Sequence, residues 1–201
     1  MQRVTTHLLL AFALSSVLLG VGHAQDKQAP KIVVTVAPQS ASDISASLVP
    51  LNDPATIDQI HQYLLLSGDL DSFRVSWIAA LNKNRSIGAP YWPESFWTAL
   101  KEEMEKTDLM PMFVTLYQHG ISRNLMQEAL EAYQRLGTTH FKGSPECFKL
   151  GDAELALATD MDNLKLAKTR EVVTKVYTIY KPEIKAARVR YQAEHPEWVD
   201  K

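Results

Sequence analysis

One cysteine, Cys147, stands among 201 residues, and a lone thiol cannot form a disulfide within its own chain. Packing therefore has to hold the fold, and Cys147 reads as a small, partly buried hydrophobe in preference to a reactive thiol or an intermolecular link. Long apolar runs are also scarce. The only one, Leu8–Val21, has 14 residues, short of the roughly 20 that a membrane-spanning helix needs. Neither sign of charge dominates, with 21 Lys+Arg against 23 Asp+Glu. That balance gives no electrostatic reason to expect nucleic acid or an anionic membrane as partner. The patterns that announce chemistry are missing as well. There is no H-E-x-x-H, no paired-cysteine zinc spacing, no G-x-S-x-G elbow, no phosphate-binding Walker loop and no G-x-G-x-x-G.

What is there begins with a secretory signal over residues 1–24. Arg3 supplies the positive start, Leu8–Val21 the apolar middle, and Gly22-His23-Ala24 the small residues that a signal peptidase reads. Cleavage after Ala24 removes one basic residue and no acid, leaving 20 against 23 and a formal charge of −3. The expected product is periplasmic or secreted, with no stable membrane anchor once the signal is gone. Residues 25–52 are rich in Ala, Ser, Gln and Pro without helical periodicity, which predicts a flexible, disordered tether. Within it the β-branched run Ile32–Val36 is bracketed by Pro30 and Pro38 and has no visible partner strand.

Residues 53–201 carry the apolar spacing of helices. Asp53-Pro54 predicts an N-cap and first turn, with Ile57, Ile60, Leu64 and Leu65 inward and Ser67-Gly68 at the end. A second helix from Asp71 places Phe73, Trp77, Ile78 and Leu81 inward and breaks at Gly88 and Pro90, and a third from Pro93 buries Phe96, Trp97, Leu100 and Met104. The centre is a corner. Leu109, Met112, Phe113, Leu116 and Tyr117 form one stripe after an Asp108 cap, and Gly120 is expected to take the left-handed conformation that ends it. Ser122 caps the next arm, Ile121 and Met126 are placed as a hydrophobic staple, and Leu125, Met126, Ala129, Leu130, Tyr133 and Leu136 are its inner face up to Gly137. So short a connection predicts a central αα-hairpin. A loop is expected over residues 137–151. A long helix then follows from Asp152, covered on two sides or interrupted near residues 160–163, and Pro182 should kink or end it before a last helix reaching about Glu194. The fold class is thus all-α, a single compact bundle of about six to seven helices.

The candidate chemical groups each have a plainer reading beside them. His61, His119, His140 and His195 are isolated from any second ligand at helical spacing, apart from Asp58 one turn from His61, a geometry that any i,i+3 pair shares. Cys147 with His140 is half of a thiol dyad that lacks a third group. Glu102 with Glu103, and Glu128 with Glu131, read as solvated helix faces. The cluster Tyr91, Trp92, Phe96 and Trp97 offers flat rings to a sugar or an apolar ligand, but Phe96 and Trp97 fall on the inner face, which leaves Tyr91 and Trp92 as the exposed pair. No catalytic residue, metal ligand or cofactor site is assigned.

The order of these features resembles a known family. A signal peptide, a helix ending in leucines and Ser67-Gly68, the sequence Leu109-Met110-Pro111 leading to Tyr117, and Ile121-Ser122 before an acidic helix ending in Ala132-Tyr133 together resemble the exported bacterial proteins of the domain of unknown function 2059 family, over roughly residues 53–180. The resemblance implies an all-helical exported domain and carries over no catalytic residue. Three functional readings follow. The first is a non-enzymatic helical protein that binds another macromolecule or assembles with itself. The second is a carrier of a small apolar or sugar-like ligand, and the third an envelope hydrolase.

Overall fold

The computed structural model describes residues 40–87 and 89–197; the signal, the Ile32–Val36 run and Gly88 lie outside the described residues. Among the described residues there are eight helices and no strand: α1 Ala41–Ser47, α2 Ile57–Ser67, α3 Asp69–Ile87, α4 Glu94–Lys106, α5 Met110–Gly120, α6 Arg123–Phe141, α7 Pro145–Ala156 and α8 Ala158–Glu194. The chain is all-α. Its described residues divide into two units, one within Gln39–Ser76 and Thr107–Lys168, the other within Trp77–Lys106 and Thr169–Lys201.

In the first unit the corner between α5 and α6 forms where the apolar spacing puts it. Leu109, Met112, Phe113, Leu116 and Tyr117 are buried, as are Met126, Ala129, Leu130 and Tyr133. The Ser122 hydroxyl accepts from the Leu125 N–H at 3.3 Å, and both staple residues, Ile121 and Met126, are fully buried. The outer sides of the corner are covered by two further helices, since α2 packs on both α5 and α6 and α7 does the same.

The helix boundaries correct several expectations. α2 starts after Thr56 instead of Asp53, because Thr56 and Gln59 form a reciprocal capping box: Thr56 Oγ1 accepts from the Gln59 N–H at 3.2 Å and Gln59 Oε1 from the Thr56 N–H at 2.9 Å. That arrangement satisfies two otherwise orphaned donors where a lone Asp cap satisfies one. Asp53 and its neighbours are used elsewhere. The Arg123 N–H donates to the Asp53 carbonyl at 3.0 Å, the Ala55 N–H to the Ile121 carbonyl at 2.9 Å, and the Arg123 side chain pairs with the Asp53 carboxylate at 3.0 Å.

The stretch expected to be a tether is helical over α1, started by a Ser40–Asp43 capping box. Beyond it Leu48 is buried, the Leu51 N–H donates to the Gln118 carbonyl at 2.9 Å, and His119 Nδ1 lies 2.7 Å from the Val49 carbonyl. The loop expected over residues 137–151 is mostly helix. Gly137 does leave helical geometry, at φ 69° and ψ 166°, but α6 resumes to Phe141, and Ser144 caps α7 with Pro145 in its first turn. The interruption expected near residues 160–163 falls earlier, at Leu157, and α8 runs on through Pro182 to Glu194. An extra helix at each of α1 and α7, with one helix where two were expected at the C-terminal end, takes the count to eight.

Gly120 is needed for a reason other than the expected one, since among the described residues only Gly68 and Gly137 have positive φ. A Cβ on Gly120 would stand 2.7 Å from Leu157 Cγ and closer still to another carbon of that buried side chain. Gly120→Ala is therefore expected to destabilise the protein by about 1–3 kcal/mol, the usual cost of overpacking. A denaturant titration giving a midpoint no lower than that of the parent would show that Leu157 can step aside.

The second unit is built around α4 and the C-terminal part of α8. All four predicted inward residues of α4, Phe96, Trp97, Leu100 and Met104, are buried, together with Trp77, Leu81, Val172, Val176 and Ile184. The fully buried Trp77 indole donates from Nε1 to Thr169 Oγ1 at 2.8 Å. Outside, Lys106–Glu102 at 3.5 Å and Lys101–Glu105 at 3.6 Å are exposed i,i+4 pairs, each worth only about 0.3–0.5 kcal/mol.

Candidate functional site

Among the described residues the most chemically distinctive group is the half-buried carboxyl of Glu154 in the first unit. Along α7 and its C-cap, Leu150, Ala153, Glu154 and Leu157 recur at i, i+3, i+4 and i+7, so helical geometry turns Glu154 toward the side of its apolar neighbours. Two phenols meet it there. Tyr117 of α5 donates to Glu154 Oε1 at 2.8 Å, and Tyr63 of α2 donates to the same oxygen at 3.1 Å. The Tyr63 ring stands 6.0 Å from both the Tyr117 and the Tyr133 rings, and Tyr133 stacks on Phe141 at 3.7 Å. One carboxyl oxygen thus ties together three helices.

The electrostatics follow from burial. Loss of water raises the Glu154 carboxyl above the usual range, the Tyr117 hydrogen bond pulls it back down, the Asp69 charge adds to the rise, and the Tyr63 hydrogen bond again opposes it. Tyr63 and Tyr117 are pushed well above the ordinary phenol value by burial and then by the Glu154 charge, so both stay protonated and remain donors. Burial, followed by Asp69, pushes Tyr133 up to about 12. Cys147 is raised by burial, then by Glu154 and Asp69, with Lys142 opposing. A raised thiol pKa means less thiolate, the reverse of what a nucleophile needs. The arrangement is a set of acids whose protons stay on the phenols and the thiol, gathered around a carboxyl that burial raises.

The residues singled out in the sequence are not gathered here. His61 and Asp58 form no hydrogen bond or ion pair among the described residues, and the same holds between Cys147 and His140. Cys147 gives its backbone N–H to the Ser144 cap at 3.1 Å. His119 Nε2 lies 3.8 Å from Asp160, and His195 lies 3.3 Å from Glu197 with its ring 4.3 Å from that of Tyr191. Glu128 pairs with Lys149, and Glu103 with Lys175. In the second unit the aromatic cluster packs on itself. The Trp92 ring is 4.7 Å from Phe96, 5.6 Å from Trp97 and 6.2 Å from Tyr177, while Tyr91 meets Tyr191 at 6.3 Å.

No group of three or more His, Cys, Asp or Glu suited to a metal ion occurs among the described residues, and no helix among them is long and apolar enough to cross a membrane. The sequence pattern does not reveal the Glu154 cluster: Tyr117 and Tyr133 fit an apolar stripe as well as Phe would, and Tyr63 falls outside the stripe expected from Ile57, Ile60, Leu64 and Leu65, of which Ile57 and Leu65 are exposed while Tyr63 is buried. The signal that could have found it is a carboxylate at an inward position of α7, facing a fold with three inward tyrosines that need acceptors. No protein-family model, curated protein or solved structure matches this chain.

Proposed function

We propose that the chain is an exported, non-enzymatic helical protein that acts by binding another protein or by assembling with itself. The observation that carries this is the outer face of α7, where Phe148 and Leu155, seven residues apart and so on one side of the helix, are 63% and 65% exposed. Two large apolar side chains held in water on one helix face are the kind of feature that a partner covers. The two phenols that donate to Glu154 and the raised Cys147 thiol suit structural roles for both groups, which supports this reading. Export rests on the residues 1–24 pattern, and membership of the family resembled above belongs to the same proposal.

The test joins localisation to association. The mature protein is expected to begin at Gln25 in the envelope or medium, which intact-mass measurement reads directly. Sedimentation velocity, or photo-crosslinking from position 148, is expected to show one defined complex. Phe148→Glu with Leu155→Glu is expected to abolish it without loss of helicity, both side chains being exposed already. A monomer with no discrete cross-link at any concentration, or a chain retained in the cytosol with its first residues intact, overturns the proposal.

A further inference from the structure

The exposed pair on α7 belongs to a pattern that is complementary to itself. At 3.6 residues per turn, Phe148 and Leu155 stand about 20° apart around the helix. Gly151 lies to one side of that row, and Asp152 and Lys149 both lie to the other. All five are exposed. A Cβ on Gly151 would meet nothing within 4 Å, so an open recess separates the two large side chains. The other charges of α7 are already engaged, since Glu146 pairs with Arg135 of α6 and Glu154 accepts from the Tyr63 and Tyr117 phenols. Lys142 precedes the helix. Lys149 meets Glu128 of α6 at 3.4 Å while most of its side chain stays exposed. Asp152 has no ion-pair partner among the described residues.

Building on the protein-binding reading of this face, we propose that its occupant is a second copy of the chain, with α7 packed antiparallel on α7 across a two-fold axis between Gly151 and Asp152. That axis brings Phe148 of each copy level with Leu155 of the other, as an isologous contact requires. The recess at Gly151 lets the two backbones approach closely. Antiparallel packing also keeps the charged edges of both helices on one side of the contact. There Lys149 of each copy comes within about 3 Å, measured along the helix axis, of Asp152 of the other. An ammonium has three donors, enough for Glu128 and the incoming carboxylate together. A parallel pair would set each charged edge against the other copy's glycine edge and leave both Asp152 carboxylates unmatched. A contact confined to one helix of 12 residues buries less than the ~800 Å² per partner of a standard interface, so the dimer is weak and reversible.

Sedimentation equilibrium of the chain from Gln25 onward is expected to show monomer and dimer in exchange. Lys149→Glu alone, or Asp152→Lys alone, is expected to weaken the dimer about tenfold, because each turns two attractions between copies into two repulsions. Both substitutions together restore the pairs with their signs exchanged, and the dimer is expected to recover to within about threefold of the parent. Circular dichroism should stay that of the parent in all three. Asp152→Cys in a Cys147→Ser background is expected to give a disulfide-linked dimer on mild oxidation, and Gln62→Cys in the same background is not. A chain that stays monomeric while position 148 cross-links to a different protein overturns the second copy and leaves the binding reading standing. A monomer with no cross-link overturns both. A dimer indifferent to the single substitutions, or one that the double substitution fails to recover, overturns the antiparallel arrangement.

Discussion

Removing both phenolic hydroxyls at the interior carboxyl, as Tyr63→Phe with Tyr117→Phe, is expected to destabilise the protein at neutral pH by about 3–5 kcal/mol, since a hydrogen bond to a charged group is worth about 1.5–3 kcal/mol. The rings stay, so apolar packing is nearly unchanged and the loss reports on the two donors alone. The effect depends on pH in a direction that burial dictates. Glu154 has its carboxyl raised in the folded protein, chiefly by loss of water. A raised acid leaves the fold unburdened below the unfolded carboxylate range, and stability is then lost as pH rises through the folded value and the charge appears in the interior. Stripping the donors raises the carboxyl further. The double variant should therefore fall well below the parent at pH 7–8 and approach it at about pH 4, where the carboxyl is neutral. Glu154→Gln should flatten the dependence. Urea titrations at the two pH values provide the measurement, and an equal deficit at both would mean that Glu154 carries no charge in the folded state at neutral pH.

Trp77→Ala is expected to cost about 3–5 kcal/mol, the range for deleting a large buried aromatic. The indole is fully buried and its N–H has a defined acceptor in Thr169, so two contributions overlap in that figure. Thr169→Val separates them, because it keeps the shape and leaves the indole N–H unsatisfied, at about 1–3 kcal/mol. Loss of near-ultraviolet dichroism together with a lowered urea midpoint would be the expected record for Trp77→Ala. A Thr169→Val midpoint equal to the parent's would show that the indole N–H finds another acceptor, and would assign the Trp77 effect to packing.

Much of the helical body can be read from the residues. Phe96, Trp97, Leu100 and Met104 are placed inward by spacing and are all buried, and Ser122 caps α6 as its type and position suggest. The departures have physical causes. Asp53-Pro54 and Thr56-x-x-Gln59 are two start signals three residues apart, and the reciprocal pair wins while Asp53 is held by Arg123. Position at a helix end suggests a conformational reason for Gly120, whereas the reason is steric, and the side chain it makes room for, Leu157, lies 37 positions away. Pro182 is accommodated within a helix whose neighbouring turns are fixed by ring contacts at Tyr177, Tyr180 and Tyr191.

The candidate site was less legible than the fold. Tyr117 and Tyr133 satisfy an apolar pattern, so periodicity alone hides the polar end of each ring, and Tyr63 is buried where the spacing points instead to Ile57 and Leu65, which are exposed. Glu154 is the informative residue, and its meaning appears only when the helices that supply its donors, 91 and 37 positions away, are brought together. His140 with Cys147 and His61 with Asp58 are neighbours in sequence, and proximity along a chain is weak evidence of reactive geometry.

The clip between Asp53–Ala55 and Ile121–Arg123 closes a loop of 70 positions, from residue 53 to residue 123. Such a long-range closure carries an entropic toll that local helix formation does not meet. While the polypeptide is being synthesised, α2, α3 and α4 can wind and unwind, but nothing upstream of Ile121 offers the carbonyl that Ala55 needs. The opening of the helical body is consequently finished by residues from its middle, and any fragment that stops short of the corner is left with a loose end.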